Sequence, residues 1–440
     1  MKSIPHKSAS VEVYAVSSIR VPANLNITRK LHPRNANLSK EELQHKSFDR
    51  LTVFYDVFYH HSENKFIGIG PRLLNLKKSL MPMQVRCNEM KLPHRLTEMK
   101  TICILEVQAP DKVEDGLTLN FEFPVFSVSL AIDTSRSVNA RVCSPTNRLT
   151  ISTIQKNNHI EWIEDWIRWH RNLHNVQRVI LYDNGSSDRQ TILRRLKDLD
   201  IDVNIVFVEW PFEYGQSPDK FAQRGAMNHC RLRFSIEGGY CINTDLDEYL
   251  VNKSGQNLLE HLDSTFKDER ISSIRTRESW IPRQHPRSGS IPEPARVWHQ
   301  SFRRPDQGIQ PFGKTKYIYK FNRVKYNSVH VAIPNFPKTG EIRLSWKDHL
   351  IYAISNSRFL TAKIVGLNQR PKTIFGIHYA VPSKLFYHHL RGLRRKPTKA
   401  DTDGIERYDP DLHQAEPEIN ELSRIAGLIP RNETDAESEC

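Results

Sequence analysis

Residues 240–251 read Tyr-Cys-Ile-Asn-Thr-Asp-Leu-Asp-Glu-Tyr-Leu-Val, a short apolar run that leads into Asp245, Asp247 and Glu248. The run predicts a strand that delivers carboxylates to its tip. Because side chains alternate faces along a strand, Asp245 and Asp247 are expected on one side, where they can share one divalent cation. Glu248 is expected on the opposite face. The stretch therefore predicts a metal and phosphate site.

Strand patterns alternate with helix patterns from Arg148 onward. This alternation is typical of a mostly parallel sheet with crossover helices, the α/β class. The predicted strands are residues 149–154, 176–182, 203–208 and 240–242.

The helix predicted after the first strand carries Trp162, Trp166 and Trp169 on one stripe. We interpret the three tryptophans as core residues rather than as a sugar-binding platform. Asn158 is the expected N-cap residue of this helix, with Glu161 three positions later.

The second predicted strand runs into residues 183–188, Asp-Asn-Gly-Ser-Ser-Asp. Gly185 permits a left-handed turn, and Ser187 or Asp188 can cap the next helix. Ligands of open α/β sheets bind outside the carboxyl ends of the strands, so we expect Asp183, with Asn184 beside it, to contact the base or ribose of a nucleotide. A capped turn without a ligand explains the motif equally well.

Gln223 and Arg224 lie near the start of a later predicted helix. Basic residues at a helix start can join its backbone amides in binding phosphate. An exposed basic helix face remains the alternative.

The rest of the chain divides by composition. Residues 1–46 are predicted to be a polar arm that is ordered only where it docks, and 47–145 a small β-rich accessory domain. Within that domain the alternation slips by one residue at Pro124, which predicts a bulge or strand break. A structural module is the favoured interpretation of 47–145, and acceptor binding or partner docking are the alternatives. Residues 401–440 are predicted to be a mobile polar tail.

Overall composition limits the class of protein. Lysine and arginine total 64 against 50 acidic residues, a net charge of +14 that favours anionic partners. The six cysteines show no paired spacing, so we expect reduced thiols and no structural zinc. No apolar stretch approaches the length of a membrane span, and a soluble, cytoplasmic protein is expected.

The order of the motifs resembles a known class of enzymes. The motifs are Lys156-Asn157-Asn158, Glu161-Trp162 with His170, 182–188, Gln223, and Asp245-Leu246-Asp247-Glu248-Tyr249. Over residues 148–395 the chain is similar to nucleotide-sugar glycosyltransferases of the GT-A fold, especially those like family 2 and family 92. In these the aspartate motif reads close to Asp-x-Asp-Glu-Phe. Family members commonly have Lys/Arg-Asn-Glu where this chain has Asn158, whose amide can still bond ribose hydroxyls.

The resemblance implies a GT-A-like, mostly parallel sheet flanked by helices within residues 146–400, preceded by the β-rich domain. It implies metal-dependent transfer of a sugar from a nucleoside diphosphate to a hydroxyl of a glycan or lipid-linked acceptor, with inversion. Asp245 and Asp247 would hold Mn²⁺ or Mg²⁺, and a late histidine would complete the metal site. His330 is the first candidate, followed by His389 and His378.

The resemblance also implies roles around the donor. The donor-binding candidates are Lys156, Asn158, Asp183, Asn184, Gln223, Arg224 and Trp280. Inversion requires a carboxylate base. Glu278 is the leading candidate because it adjoins Trp280, and Glu293 and Asp306 are the others.

Two alternative functions remain open at this point. Arg391, Arg394, Arg395, Lys396 and Lys399 could bind nucleic acid or an anionic membrane. Because no nucleic-acid recognition signature accompanies them, a peripheral membrane contact of a transferase is favoured over nucleic-acid binding. A nucleotidyltransferase using the same metal chemistry is the second alternative.

Overall fold

The largest sheet has twelve strands, five of which form a continuous parallel block. In spatial order these five are β1 (Ser10–Ala15), β14 (Asn204–Glu209), β13 (Arg178–Asp183), β12 (Leu149–Gln155) and β15 (Tyr240–Asn243). The chain order of the last four reverses between β12 and β15. Such a reversal is the topological switch point at which open α/β sheets bind their ligands.

The chain is represented by a computed structural model. It describes residues 8–30, 49–134, 148–215, 221–269, 271–281, 302–303, 309–310, 316–329, 331–334, 373–374, 377–380, 385–390, 414–415 and 417–428.

Beyond β15 the large sheet becomes mixed, because β15 pairs antiparallel with β20 and β20 with β17. The strands of this part are β16 (Glu248–Asn252), β17 (Ile271–Ile281), β19 (Ile309–Gln310), β20 (Lys316–Lys320), β23 (Thr373–Ile374), β24 (Ile377–Ala380) and β25 (Leu385–Leu390). Two short antiparallel pairs lie outside it, β18 (Phe302–Arg303) with β26 (Gln414–Ala415), and β21 (Val324–Ser328) with β22 (Val331–Pro334).

The helices that accompany the sheet are α2 (Ile160–His174), α3 (Arg189–Lys197), α4 (Phe221–Arg233), α5 (Leu258–Thr265) and α6 (Pro417–Ile425). Trp162, Trp166 and Trp169 of α2 are buried in one cluster with the strands, which confirms their interpretation as core residues. The predicted cap at Asn158 is wrong. The N-cap residue is His159, and no side chain caps the helix, because Asn158 lies one residue too early.

The β-rich region contains two four-stranded antiparallel sheets. The first is formed by β4 (Asp56–His60), β5 (Lys65–Pro71), β9 (Ile102–Gln108) and β8 (His94–Glu98). The second is formed by β11 (Ser127–Ile132), β10 (Leu117–Glu122), β6 (Gln84–Cys87) and β7 (Met90–Lys91). A helix α1 (Leu76–Leu80) and a two-stranded pair, β2 (Ile19–Arg20) with β3 (Thr52–Phe54), complete the region. The strand break at Pro124 is confirmed, since β10 and β11 form a hairpin around it.

Two segments of polar average composition contain regular secondary structure. The polar arm contains β1, which pairs with β14 through an alternating sequence whose Tyr14 is buried. The polar tail contains α6, which packs against α2 and buries Ile419, Ala426 and Leu428. In both cases a few apolar residues at the correct spacing outweigh a polar average composition.

Helix α4 joins the large sheet to the β-rich region. A Cβ at Gly225 would lie 2.6 Å from the Tyr55 ring, so only glycine permits this close approach. A fully buried polar network crosses the same boundary: Asp56 Oδ2 lies 2.8 Å from His229 Nε2, and Tyr182 Oη lies 2.9 Å from His229 Nδ1. Buried polar groups satisfied in this way fix one packing arrangement.

The four cysteines of the described residues are free thiols, as their spacing predicted. None of the helices in the described part of the chain is long and apolar enough to cross a membrane.

Candidate active site

Asp245, Asp247 and Glu248 form one acidic cluster between β15 and β16, hereafter the acidic turn. Their carboxylate oxygens lie within 4.8 Å of one another. The backbone N–H of Glu248 donates to the Asp245 carbonyl at 3.1 Å, and the Asp245 N–H donates to Glu248 Oε2 at 2.7 Å. The strand ends at Asn243, so Asp245 and Asp247, expected on one side, come together in a turn rather than by strand alternation. A turn brings Glu248, expected on the opposite face, beside the two aspartates.

Lys316 of β20 reaches the acidic turn from 71 residues away in the chain. Its Nζ lies 2.7 Å from Asp245 Oδ2 and 3.1 Å from Glu248 Oε2. The Lys316 and Glu248 side chains are each only 3% exposed, whereas Asp245 is 44% exposed. Burial by itself would lower the pKa of Lys316, but the charges of Asp245 and Glu248 and the hydrogen bonds to them outweigh burial and raise it. Lys316 is therefore a buried cation in direct contact with two carboxylates.

Helix α2 holds the strand that follows the acidic turn. Trp169 Nε1 and His174 Nε2 donate to the Leu250 carbonyl at 2.8 and 2.7 Å, and the Leu250 N–H donates to His170 Nε2 at 3.4 Å. Burial lowers the pKa of His170 to about 3, with a further contribution from His174, and lowers that of His174 to about 4. Both imidazoles are therefore neutral at physiological pH, and the start of β16 is fixed two residues beyond Glu248.

A cavity of about 420 Å³ lies at the carboxyl ends of β12 and β13, hereafter the donor-side cavity. A volume of this size suits a small-molecule ligand. It is lined by Ile154, Gln155, Lys156, Asn158, Asn184, Gly185, Pro211, Phe212, Glu213 and Tyr214. Three predicted donor-binding residues, Lys156, Asn158 and Asn184, are among them.

Asp183 belongs to the framework of the donor-side cavity rather than to its lining. Its carboxylate accepts from Gln155 Nε2 and, at 3.1 Å, from the Ser186 N–H, and the residue is 2% exposed. Gly185 adopts φ +77°, the left-handed turn that the sequence predicted. Asn184 donates to the carbonyls of Trp210 and Phe212 at 2.8 and 2.7 Å. Both polar side chains thus shape the loop that borders the cavity.

Gln223 lies at the start of α4, near the acidic turn. Together with Asp245 it lines a small gap of about 10 Å³, and its buried Oε1 has no hydrogen-bond partner among the described residues. Tyr214 of the donor-side cavity lies close enough to the acidic turn for its charges to shift its pKa. Burial and Asp245 raise the pKa of Tyr214, whereas Lys316 and Arg224 lower it. The donor-side cavity and the acidic turn are therefore electrostatic neighbours.

For several predicted site residues the structure describes only the pairing of the backbone. Backbone pairing places Glu278 of β17 opposite Tyr387, and Trp280 opposite His389. The same His389 pairs with Glu248 across β16 and β25. His378 pairs with Ile271, farther along β17. His330, Glu293 and Asp306 lie outside the described residues.

Sequence reasoning missed three residues of the site: Gln155, Tyr214 and Lys316. Gln155 could have been predicted, since it ends the first strand and ligands bind at the carboxyl ends of such strands. Lys316 begins a run, Lys-Tyr-Ile-Tyr-Lys, that was interpretable as a buried strand, and a lysine in such a strand requires a charged partner. Nothing in the sequence identified that partner.

A mostly parallel sheet with a cavity and an acidic turn at its switch point is the arrangement of a GT-A glycosyltransferase. Residues 150–373 match the family model of glycosyltransferase family 92, slightly more than half of the chain. The chain belongs to this family, and the expectation from its motifs is confirmed. Family membership is the ground on which glycosyl transfer is proposed below, ahead of the nucleic-acid-binding and nucleotidyltransferase alternatives.

No curated protein sequence matches the chain significantly. Solved structures similar to it include TarS 1-349 of S. aureus, also solved with UDP, at 10% identity and a TM-score of 0.22. The match covers 40% of this chain and 47% of TarS, less than half of its length. The mannosyltransferase PcManGT of Pyrobaculum calidifontis, in complex with GDP-Man and Mn²⁺, matches at 14% identity and a TM-score of 0.25, over 52% of this chain and 68% of its own. Scores this low say nothing about the ligands of this chain.

Proposed function

We propose that this glycosyltransferase transfers a sugar from a nucleoside diphosphate donor, with the nucleoside in the donor-side cavity and the diphosphate at the acidic turn. The observation that carries the proposal is the contiguity of the two. Ile154 lines both the donor-side cavity and the small gap that Gln223 and Asp245 also line. A donor that spans both regions needs polar groups for its nucleoside and a cationic environment for its phosphates.

The acidic turn has the chemistry of a site for Mn²⁺ or Mg²⁺. Both are hard cations that prefer oxygen ligands, and Asp245, Asp247 and Glu248 offer three carboxylates within 4.8 Å. Lys316 occupies one position on two of these carboxylates, but each carboxylate has about four lone-pair sites, so further ligation is available. A bound divalent cation would stabilise the charge that develops on the leaving diphosphate.

The chain's own residues then have separate tasks. Lys316 holds Asp245 and Glu248 in place and compensates part of their charge. Arg224, on the first turns of α4, is the side chain we assign to the diphosphate, and the side-chain N–H groups of the neighbouring Gln223 are assigned to it as further donors. Lys156 and Asn158 at the cavity wall are assigned to the phosphate and ribose of the donor.

The acceptor side is proposed from chemistry alone. An inverting reaction needs a carboxylate to remove the proton of the attacking hydroxyl, and Glu278 is our candidate because β17 runs beside β25, which pairs with the strand of Glu248. We propose a glycan or lipid-linked acceptor, catalysis by residues 146–400, and a cytoplasmic location with a peripheral contact to anionic membrane. Sedimentation with liposomes that do or do not contain anionic lipid tests that contact, and equal sedimentation with both would refute it.

The central experiment is a screen of nucleotide sugars with Mn²⁺ that measures the released nucleoside diphosphate. One donor should be consumed, and a chelator should stop the reaction. Asp247→Ala should lower the rate by about 10²-fold to 10³-fold, as expected when a transition-state charge loses its stabilisation. Asp198→Ala, an exposed aspartate after α3, is the matched control and should retain the rate. Undiminished transfer by Asp247→Ala would remove the acidic turn from the reaction.

A further inference from the structure

A second cavity lies between the β-rich region and the large sheet, far from the residues discussed above. Its volume is about 360 Å³. Strands β5, β8 and β9 form one wall, and the end of α4 with the start of β21 forms the other. We call it the junction cavity. Neither the family membership nor the proposed donor site gives it a role.

Most charged groups around the junction cavity already have partners. Arg95 Nε donates to Glu106 Oε2 at 3.0 Å, and Lys65 lies 3.3 Å from Glu63 Oε2 and 3.7 Å from Glu106 Oε1. Each carboxylate at the rim is thus bonded to a cation on the same sheet. These pairs leave the opposite wall with no carboxylate of its own.

Arg231 of α4 faces the cavity from that opposite wall. Its buried Nε has no hydrogen-bond partner, and within the described residues the guanidinium makes no ion pair. Burial lowers the pKa of Arg231 to about 10, and the more distant Tyr319 and Glu63 only partly oppose this effect. Lys325 of β21 adds a second cation at the same wall. Arg231 is half-buried, and a charge partly removed from water without a counter-ion is unfavourable, so a bound anion would stabilise this arginine.

Part of the cavity lining is apolar. Ile67 and Ile104 on one wall and Leu232 on the other contribute side chains that would pack against a carbon skeleton. A guanidinium fork together with apolar side chains matches a ligand with one oxyanion and one nonpolar face.

We propose that the junction cavity binds a small molecule with one oxyanion and one nonpolar face, such as a sugar phosphate or a sugar acid, held by Arg231 and Lys325 through its phosphate or carboxylate and by the apolar side chains through its ring. The site is separate from the donor site. Arg231 follows Gln223 by eight residues on α4, so the two are about 12 Å apart along the helix axis. The β-rich region thereby acquires a binding role, independent of which sugar nucleotide is the donor.

Calorimetric titration of the full-length enzyme tests the proposal with four probes: glucose 6-phosphate, glucuronate, inorganic phosphate and glucose. We expect saturable binding of glucose 6-phosphate or glucuronate, weaker binding of inorganic phosphate and none of glucose. The preferred probe identifies the oxyanion as phosphate or carboxylate. Glucose binding as tight as that of the charged sugars, or no binding of either charged sugar, would overturn the proposal.

Variants locate the binding. Arg231→Gln should weaken it by about tenfold or more, the loss expected for hydrogen bonds to a charged group. Arg231→Lys should retain part of the affinity, and Lys325→Gln should lower it by about threefold because a rim charge is more solvated. Arg86→Gln, which removes an arginine paired with Glu122 on the other small sheet, is the control and should bind normally.

Thermal melting verifies that each variant is folded. If Arg231→Gln yields no folded protein, Lys325→Gln decides the matter: a folded variant with unchanged affinity overturns the proposal. Unchanged binding by folded Arg231→Gln would overturn it as well.

Discussion

The loop at residues 183–188 and the acidic turn both place an aspartate just beyond a parallel strand at the same edge of the sheet, yet the two aspartates are in opposite situations. Asp183 is 2% exposed, and both of its oxygens accept from the chain's own donors. Asp245 is 44% exposed and shares a crowded space with two other carboxylates. The strand end delivers an aspartate in both cases, and the neighbours decide whether it stabilises a loop or joins a cluster of carboxylates.

The neighbours differ in charge. Asp183 meets neutral donors, the Gln155 amide and the Ser186 N–H. In the acidic turn, two of the three clustered carboxylates meet the charged Lys316 ammonium. A divalent cation is attracted only to the second arrangement. The comparison is open to direct perturbation.

Lys316→Met should have the largest effect on folding stability. Removing one partner of a buried ion pair leaves an uncompensated charge and destabilises by about 3–5 kcal/mol. Because Glu248 would then lack its cation, Mn²⁺ should raise the melting temperature of Lys316→Met more than that of the wild type. Lys320→Met, on the same strand but away from the acidic turn, serves as control. An equal rise in melting temperature with Mn²⁺ in the wild type, Lys316→Met and Lys320→Met would contradict the idea that Lys316 and the metal compete for the same carboxylates.

Asp183→Asn should destabilise by about 1–3 kcal/mol, because an amide cannot accept from both Gln155 and the Ser186 N–H. Denaturant unfolding measures this loss. Mn²⁺ binding, measured by electron paramagnetic resonance, should remain as in the wild type. Lost Mn²⁺ binding would show that Asp183 and the acidic turn are not distinct in role.

His174→Gln tests the anchoring of β16 through its pH dependence. A histidine with a folded pKa of about 4 and an unfolded value of 6.5 stabilises the fold fully above pH 6.5 and loses that contribution as the pH falls toward 4. Wild-type stability should therefore fall by an additional ~1.4 kcal/mol per pH unit in this window compared with His174→Gln, which still donates to Leu250. If the wild type and His174→Gln lose the same unfolding free energy between pH 7 and pH 5, His174 is not a neutral, buried group.

Ser186→Ala should have the smallest effect, about 1 kcal/mol, because of the two groups that donate to its hydroxyl only the Asn157 N–H loses its partner, whereas Gln155 Nε2 still donates to Asp183. The Ser186 hydroxyl accepts from the Asn157 N–H at 2.8 Å and links the two loops of the donor-side cavity. Donor KM should rise while Mn²⁺ affinity does not change. A change in Mn²⁺ affinity without a change in KM would reverse the assignment of the two regions.

Local patterns predicted a substantial part of the structure. The tryptophan stripe of α2, the parallel strands and the left-handed turn at Gly185 follow from spacing and residue type, which act over a few residues. Average composition did not reveal two short elements, β1 within the polar arm and α6 within the polar tail, because each depends on a few apolar residues at the correct spacing. The roles assigned to individual site residues stay predictions.

The acidic turn shows where sequence reasoning reached its limit. The sequence alone determined that Asp245, Asp247 and Glu248 follow a buried strand of an α/β sheet, since periodicity and composition are local properties. Only the tertiary structure decided that the chain turns at Asp245, so that Glu248 joins the aspartates, and that Lys316 arrives from 71 residues away. It alone set Arg231 of α4 against a wall formed by β5, β8 and β9. The interaction between two charges depends on their distance in space, and that distance is fixed when the sheet and its neighbouring strands pack together.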